Sequence, residues 1–490
     1  MLFNSWEFAV LLAVTFVLYY APWSRGRHGK AWQVTLALAA SVIFYGWEDP
    51  RLIILLAISC VGNSIATARI ILHKVHGDED RAKYWTRLAI ILNLALLAVF
   101  KYAPFVVGMM PFLPPSWVEA VKGIPLPIGI SFYTFHGISM IVDVARGEVT
   151  RESDDLLSRG GRFTKGVRDI GFYLLFFPQL VAGPIVKAKQ FWPQIAAKKL
   201  EDIPWMHVIR TLVLGYFLKV FVADNLSEQT VALTVDTAQL SGASPFFVVP
   251  LLYAYGLQIF ADFGGYSLIA IGLAAMFGYK FPENFNFPYL SSSITEFWRR
   301  WHMSLSAWLR DCLYIPLGGN RKGEGRTYVN LFLVMFLGGL WHGAEWKFAL
   351  WGTLHGVLLA VERFFGRRRG KLEDTPPSGV VRPVLGWFYT FHAVTLLWLT
   401  FLMPSMDHIR AFFAAFGSGN HAISGPPVFA LLFYGTPVLL YHLWGWFRDH
   451  RPGVLQKLSN PILEGGIHAL MIFLIVTNAG APRGFIYFQF

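Results

Sequence analysis

Apolar runs close to the length of a membrane-spanning helix recur along the whole chain. A helix needs about 20 consecutive apolar residues to cross a bilayer. Charged residues make up only 15% of the chain, whereas soluble domains carry about 25%. The pattern therefore predicts an all-α polytopic membrane protein of about ten crossings. The predicted crossings are residues 8–20, 32–47, 52–72, 88–107, 126–144, 208–222, 245–277, 383–403, 428–446 and 467–478.

The loops between these runs alternate between basic and sparsely charged ones. Arg25, Arg27 and Lys30 follow the first run, and basic loops recur at Arg146–Arg168 and Arg367–Arg382. Because lysine and arginine concentrate in cytoplasmic loops, these loops are predicted to be cytoplasmic and both termini to lie on the outer face. The net charge of +12 is then explained by topology and attraction to membrane lipid, and no nucleic-acid partner is predicted.

Two further apolar stretches are predicted to enter the membrane and return. Residues 172–184 are too short and too broken to cross it, and residues 328–361 have basic flanks on both sides. The second stretch carries His342 within Gly338–Ala344. A histidine at bilayer depth is by default a functional residue. Non-helical backbone at that depth lies against protein or a water-filled cavity, so His342 is predicted to line an internal cavity.

The segment Phe297–Asp311 is predicted to be one amphipathic helix at the cytoplasmic interface. Tryptophans on one face with cations beside them are typical of such helices. A single histidine there is more often structural than catalytic, but a second histidine at depth, His342, favours catalysis. The apolar face comprises Trp298, Trp301, Leu305 and Trp308, and the polar stripe comprises Arg299, His302, Ser306 and Arg310.

Several other polar residues have two interpretations. Asp262 shares a helix face with Gln258 and Tyr266, and it either lines the cavity or makes a helix-packing hydrogen bond. His355 is predicted to pack between helices, although it is near enough to His342 in sequence to reach the cavity. Three cations either hold the phosphates of a coenzyme A-like donor or only anchor the topology. They are Arg299, Arg300 and Arg310.

Four motifs in the second half of the chain are long and specific: Phe281–Phe285, Trp298–His302, Tyr314–Asn320 and Gly339–Gly343. They resemble the membrane-bound O-acyltransferase superfamily, and within it the alginate O-acetyltransferase group of bacterial inner membranes. The resemblance implies one acyltransferase domain over residues 1–490 around a central tunnel, with a catalytic core at about residues 245–365, an inner-membrane location and periplasmic termini. It implies two catalytic histidines, His342 and His302. Four residues near them are predicted to line the substrate cavity: Asp262, Trp341, Ser306 and His355.

Acyl transfer to a hydroxyl needs a base for the hydroxyl proton and a held, activated carbonyl. A neutral imidazole suits the first task. The resemblance implies an O-acetyltransferase that moves an acetyl group from a cytoplasmic thioester, acetyl-CoA, across the inner membrane toward an exported polysaccharide such as alginate. It also implies periplasmic polysaccharide-acetylation proteins as partners. No permanently bound cofactor is predicted, and the chain has no Cys/His spacing typical of a metal site.

Two alternatives are compatible with the sequence. Related D-alanyl transferases use a carrier-protein thioester and modify a cell-wall polymer. A secondary transporter would also bury histidine and aspartate in a polytopic bundle, although no convincing repeat is visible. The chain departs from the family pattern at Cys312, where tyrosine is usual, and at Gly264 and Leu268, where serine and aspartate are usual. These departures concern the choice of acceptor and not the histidine pair.

Overall fold

The computed structural model describes residues 1–26, 28–149, 163–180, 183–368, 381–458, 460–481 and 483–486. These ranges are helical and contain no β-strand, which confirms the all-α prediction. Residues 150–162 and 369–380, which make up most of the two basic loops predicted at Arg146–Arg168 and Arg367–Arg382, lie outside them.

The chain forms two compact units. The first comprises Met1–Thr211 and Ile269–Pro282, and the second comprises Leu212–Leu268 and Glu283–Phe490. All the residues predicted to form the site belong to the second unit. The prediction of one functional domain over residues 1–490 concerns activity and stays a prediction.

The first unit is built on the packing of α3, α4 and α7. Asn63 and Asn93 join α3 to α4 by two side-chain hydrogen bonds of 2.9 and 3.2 Å. His136 of α7 is fully buried with its ring 5.7 Å from that of Tyr173. The helices that begin in this unit are α1 (Trp6–Tyr19), α2 (Gly29–Gly46), α3 (Leu52–Val75), α4 (Glu79–Leu97), α5 (Ala103–Gly108), α6 (Pro115–Lys122), α7 (Ile130–Ala145), α8 (Phe163–Leu175), α9 (Phe177–Leu180), α10 (Ala188–Phe191) and α11 (Trp205–Tyr216).

The second unit contains the helices that carry the predicted site. A π-helical segment, Phe217–Ala223, continues α11, and another, Arg310–Tyr314, follows α16. The remaining helices are α12 (Asp224–Thr230), α13 (Thr237–Ser241), α14 (Pro245–Met276), α15 (Ile294–Arg300), α16 (Met303–Leu309), α17 (Glu324–His342), α18 (Trp346–Arg368), α19 (Val381–Leu402), α20 (Met406–Ala414), α21 (Gly425–His450), α22 (Pro452–Leu458) and α23 (Pro461–Thr477).

The described ranges contain seven helical segments long and apolar enough to cross a membrane, so the chain is a multi-pass membrane protein. Three shorter apolar helices, α1, α7 and α23, coincide with other predicted crossings. The count of about ten crossings stays a prediction. The seven segments are Leu52–Val75, Glu79–Gly108, Trp205–Thr234, Pro245–Met276, Trp346–Gly366, Val381–Leu402 and Gly425–His450.

Helices α17 and α18 form an antiparallel hairpin whose turn begins at Gly343. A Cβ atom at Gly339 would lie 2.2 Å from the carbonyl oxygen of Phe348, and one at Gly352 would lie 2.2 Å from that of Met335. Only glycine allows the two backbones to approach so closely. The predicted return of the chain near these glycines is confirmed.

The prediction of one continuous amphipathic helix over Phe297–Asp311 is wrong. Helix α15 ends at Arg300 and α16 begins at Met303, because His302 adopts a left-handed backbone conformation with φ 44° and ψ 52°. A non-glycine residue held in this region costs about 1–3 kcal/mol and persists only where its surroundings enforce it. Trp301 and His302 are buried within the unit, whereas the periodicity placed them on an interfacial helix.

Candidate active site

His342 is the last residue of α17 and lies at the tip of the hairpin. Its side chain is nearly buried, with 3% of its surface exposed. Aromatic rings surround it: the ring centroids of Trp341, Trp351 and Phe401 lie 5.0, 5.1 and 5.5 Å from that of the imidazole. The hairpin turn and α19 therefore enclose His342 in an apolar wall.

His302 is fully buried beside His342, and the centroids of the two imidazole rings are 6.5 Å apart. The ring of Phe263 meets His302 edge-on at 4.7 Å. Its Nδ1 atom is hydrogen-bonded to Oδ1 of Asn284 at 3.1 Å. Burial away from water lowers the pKa of His302 to about 3. The structure thus brings the two predicted catalytic histidines together, with His302 neutral.

His355 is also fully buried, and the ring of Trp351 lies between it and His342. Its ring packs against Trp351 at 4.8 Å, and Trp351 in turn contacts His342. Nε1 of Trp298 donates to Nδ1 of His355 at 3.4 Å. Since an indole nitrogen can only donate, neutral His355 carries its proton on Nε2. These contacts match the predicted packing role, and its role as a cavity-lining residue stays a prediction.

Helix α18 also fixes the start of α15 through Glu362. The carboxylate accepts the backbone N–H groups of Ile294 and Thr295 at 2.6 and 3.0 Å and the Thr295 hydroxyl at 3.0 Å. These bonds satisfy donors that the first turn of a helix leaves without intrahelical partners. Glu362 therefore joins the helix before His302 to the hairpin that carries His342.

Trp341 and Ser306 take different positions relative to the histidines. Trp341 is buried, and its ring lies 5.9 Å from that of His302. The Ser306 side chain is only partly buried, and its backbone N–H donates to the His302 carbonyl at 3.0 Å. Ser304, which the periodicity did not single out, donates its hydroxyl to Oδ1 of Asn284 at 2.8 Å. Trp341 thus lies at the site, and Ser304 is nearer to the His302 network than sequence reasoning indicated.

Asp262 belongs to a buried ion cluster. Its Oδ1 lies 2.8 Å from Nζ of Lys219, and its Oδ2 accepts the Ile486 N–H at 2.8 Å. The same Lys219 ammonium pairs with Asp224 at 2.7 Å and donates to the Arg483 carbonyl at 3.2 Å. These contacts match the packing interpretation of Asp262, while its substrate-lining role stays a prediction. Its neighbour in the chain, Phe263, contacts His302.

The three candidate donor-binding arginines differ in their surroundings. Arg300 pairs with Glu296 at 2.9 Å and donates to the Asn286 carbonyl at 3.2 Å, so its guanidinium is held by the protein. Arg299 is exposed. The side chain of Arg310 is 72% exposed, with Asp311 at 3.5 Å. Because of the break between α15 and α16, Arg299 and Arg300 end one helix and Arg310 follows the next, so the three cations do not lie on one continuous helix.

Sequence reasoning also missed Asn284 and Lys219. Asn284 lies inside the motif Phe281–Phe285, but its role as partner of His302 depends on a contact across 18 positions. Lys219 lies inside the predicted crossing at 208–222. A cation in an apolar run signals a buried partner, and that signal could have linked Lys219 to Asp262.

The chain is similar to known acyltransferases over most or all of its length. It is 35% identical to a probable alginate O-acetylase of Pseudomonas putida, over 100% of both chains. It is 33% identical to a peptidoglycan O-acetyltransferase of Helicobacter pylori over 83% of this chain and 78% of that protein. It is 28% identical to a teichoic acid D-alanyltransferase of Bacillus subtilis over 62% of this chain and 74% of that protein.

The profile of the membrane-bound O-acyltransferase family matches residues 169–406. The matched range contains the hairpin with His342 at its tip, His302 at the break between α15 and α16, and most of the aromatic rings around them. The chain has an all-α multi-pass fold and is similar over its full length to the Pseudomonas putida protein. It therefore belongs to the membrane-bound O-acyltransferase family.

Proposed function

We propose that this membrane O-acyltransferase moves an acetyl group from cytoplasmic acetyl-CoA across the bacterial inner membrane for O-acetylation of an exported polysaccharide such as alginate. Two of the relatives reported above are named for O-acetylation of a polymer. The observation that carries the proposal is the pair of buried histidines, His302 and His342, with ring centroids 6.5 Å apart. A buried, neutral imidazole can take a hydroxyl proton and return it within one reaction.

The chemistry assigned to the histidine pair is acyl transfer from sulfur to oxygen. The imidazole takes the proton of the acceptor hydroxyl while the oxygen attacks the thioester carbonyl. The carbon–sulfur bond then breaks, and the leaving thiolate takes the proton back from the imidazolium. Aromatic rings around His342 exclude water, which disfavours hydrolysis of the thioester.

The proposal is tested with the purified protein in liposomes. Acetyl-labelled acetyl-CoA is supplied outside, and a mannuronate oligosaccharide with the periplasmic acetylation proteins is enclosed inside. Label is expected on the enclosed oligosaccharide, and liposomes carrying the His342→Ala variant are expected to remain unlabelled. Enclosed label that appears only with a thioester-loaded carrier protein, and never with acetyl-CoA, would contradict the proposed donor.

D-alanyl transfer from a carrier protein is the second candidate function. Similarity to the Bacillus subtilis D-alanyltransferase supports it, at 28% identity over 62% of this chain. Co-purification of a small acyl carrier protein, with labelled D-alanine reaching a cell-wall polymer, would favour it over acetylation. The transporter alternative gives way to acyl transfer, because the chain belongs to an acyltransferase family.

On the donor side, we expect Arg310 and Arg300 to respond differently to loss of charge. A charge-assisted hydrogen bond is worth about 1.5–3 kcal/mol. Arg310→Gln is therefore expected to raise the KM for acetyl-CoA about tenfold, because the Arg310 side chain is 72% exposed and accessible to a phosphate. Arg300→Gln is expected to lower stability with little change in KM, because Glu296 and Asn286 hold that side chain.

The measurement is initial rate against acetyl-CoA concentration in detergent, with thermal unfolding of each variant. Arg410→Gln is a matched control, because Arg410 is 77% exposed and pairs with Asp407 on the surface. Donor KM values that stay unchanged in both Arg310→Gln and Arg299→Gln would leave these two cations as topology anchors.

The proposed orientation places both termini in the periplasm and the basic loops in the cytoplasm. It rests on the distribution of lysine and arginine between loops. Cysteines introduced one at a time into a Cys60→Ala, Cys312→Ser background would be labelled by a membrane-impermeant maleimide from the predicted side. Labelling of Arg146–Arg168 from the periplasm would overturn this orientation.

A further inference from the structure

Asn284 contacts both the backbone and the ring at the break before α16. Its carbonyl oxygen accepts the Met303 N–H at 2.9 Å, and its side-chain Oδ1 accepts the Ser304 N–H at 3.3 Å. The same Oδ1 accepts the Ser304 hydroxyl at 2.8 Å and lies 3.1 Å from Nδ1 of His302. The Asn284 side chain is buried, with 1% exposed.

The identity of the two atoms at the end of the Asn284 side chain follows from its neighbours. A backbone N–H can only donate, so the atom that meets the Ser304 N–H is an oxygen. The other atom, Nδ2, donates to the hydroxyl of Ser267 at 3.1 Å. Because the carbonyl oxygen of an amide cannot donate, the hydrogen between it and the imidazole belongs to Nδ1 of His302.

Neutral His302 therefore presents a lone pair at Nε2. Nε2 is buried and has no hydrogen-bond partner among the described residues. Phe263 and Trp341 flank the ring, and His342 is the adjoining imidazole. A buried acceptor without a donor is unfavourable, and a hydroxyl group entering the site would supply that donor.

We propose that Asn284 is a positioning residue that holds His302 as the Nδ1–H tautomer, so that Nε2 accepts a hydrogen bond from the acceptor hydroxyl while His342 takes its proton. The inference rests on the proposed acyl transfer and adds a division of labour to it. His302 receives the hydroxyl, and the amide of Asn284 determines which ring nitrogen does so. With the proton on the other nitrogen, His302 would offer the hydroxyl a donor and could not accept its hydrogen bond.

The test compares Asn284→Leu with Asn284→Asp and Ser304→Ala. Asn284→Leu removes the acceptor for Nδ1–H and is expected to lower kcat about a hundredfold, with less than a threefold change in the KM for acetyl-CoA. Asn284→Asp keeps an acceptor oxygen for Nδ1–H and is expected to recover most of kcat. Ser304→Ala removes a different donor to the same oxygen and is expected to lower kcat less than threefold.

A double-mutant cycle separates positioning of His302 from support of the fold. In a His302→Ala enzyme, adding Asn284→Leu is expected to lower the residual rate no further, because the group on which Asn284 acts is gone. A further loss of tenfold or more, or a Ser304→Ala enzyme as slow as Asn284→Leu, would overturn the proposal.

Protein amount and thermal unfolding are measured for every variant, and Asn284→Ala replaces Asn284→Leu if the larger side chain prevents folding. The outcomes also separate this inference from the proposed function. Wild-type enzyme that transfers no acetyl group contradicts the proposed function. Wild-type transfer with a normal kcat in Asn284→Leu or Asn284→Ala contradicts only the role of Asn284.

Discussion

Replacing His342 with alanine is expected to abolish polymer acetylation while the protein remains in the membrane. General acid–base catalysis contributes about 10²–10⁴-fold to rate, so loss of the imidazole should lower transfer by at least a hundredfold. The geometry supports a catalytic role most strongly for His342, because it lies at the hairpin tip with three aromatic ring centroids within 5.5 Å of its own. The measurements are the acetyl content of the exported polymer and initial rates of the purified enzyme.

An exposed histidine of the same unit, His421, provides the matched control. His421→Ala should leave acetyl content unchanged, and His302→Ala should lower it strongly but less completely than His342→Ala. Normal acetyl content in a well-expressed His342→Ala strain would refute the catalytic assignment. Normal acetyl content in a His302→Ala strain would show that His302 has a structural role only, and catalysis would then rest on His342 alone.

Removing the Lys219 ammonium is expected to cause the largest loss of stability among the variants discussed. Lys219 and Asp262 have only 3% and 6% of their side-chain surfaces exposed. Deleting the ammonium leaves the Asp224 and Asp262 carboxylates buried without the cation that they share, and breaking a buried ion pair by deleting one partner costs about 3–5 kcal/mol. Lys219→Met should therefore reduce the amount of folded protein and lower its melting temperature, measured in detergent by intrinsic fluorescence.

The partner variants show whether that loss arises from the ion pair. Lys219→Met combined with Asp262→Leu should lose less stability than the sum of the single changes, because Asp262→Leu removes one of the two carboxylates that Lys219→Met leaves without a cation. Asp407→Leu is the control, since its surface pair with Arg410 is worth only about 0–1 kcal/mol. Strictly additive losses for Lys219 and Asp262 would show that the pair does not couple.

Local sequence pattern accounts for the helices and for the position of His342. The apolar run at 328–361, with basic flanks and a glycine pair, was sufficient to predict the hairpin of α17 and α18. Helical periodicity and hydrophobic length are properties of neighbouring residues in the sequence, and they are enough to determine where the helices and the hairpin form. The match to family motifs then connected the histidines to acyl transfer.

The interior of the site depends on contacts that no local pattern contains. Periodicity predicted an unbroken helix through His302. The spacing of apolar residues contains no information about the left-handed backbone conformation that His302 adopts. That conformation is tied to Asn284, which lies 18 positions earlier. Lys219 and Asp262 are likewise 43 positions apart (262 − 219) and meet only in the folded unit. Such pairings follow from tertiary packing and not from residue spacing.

The glycine contact inside the α17–α18 hairpin has a consequence for how substrates reach the histidines. Backbones in direct contact at Gly339 and Gly352 cannot separate without losing packing along both helices. We therefore expect the amide hydrogens of these two glycines to exchange with solvent among the slowest in the protein. The hairpin then serves as the fixed wall of the site, and motions that admit a donor or an acceptor must come from segments with faster exchange.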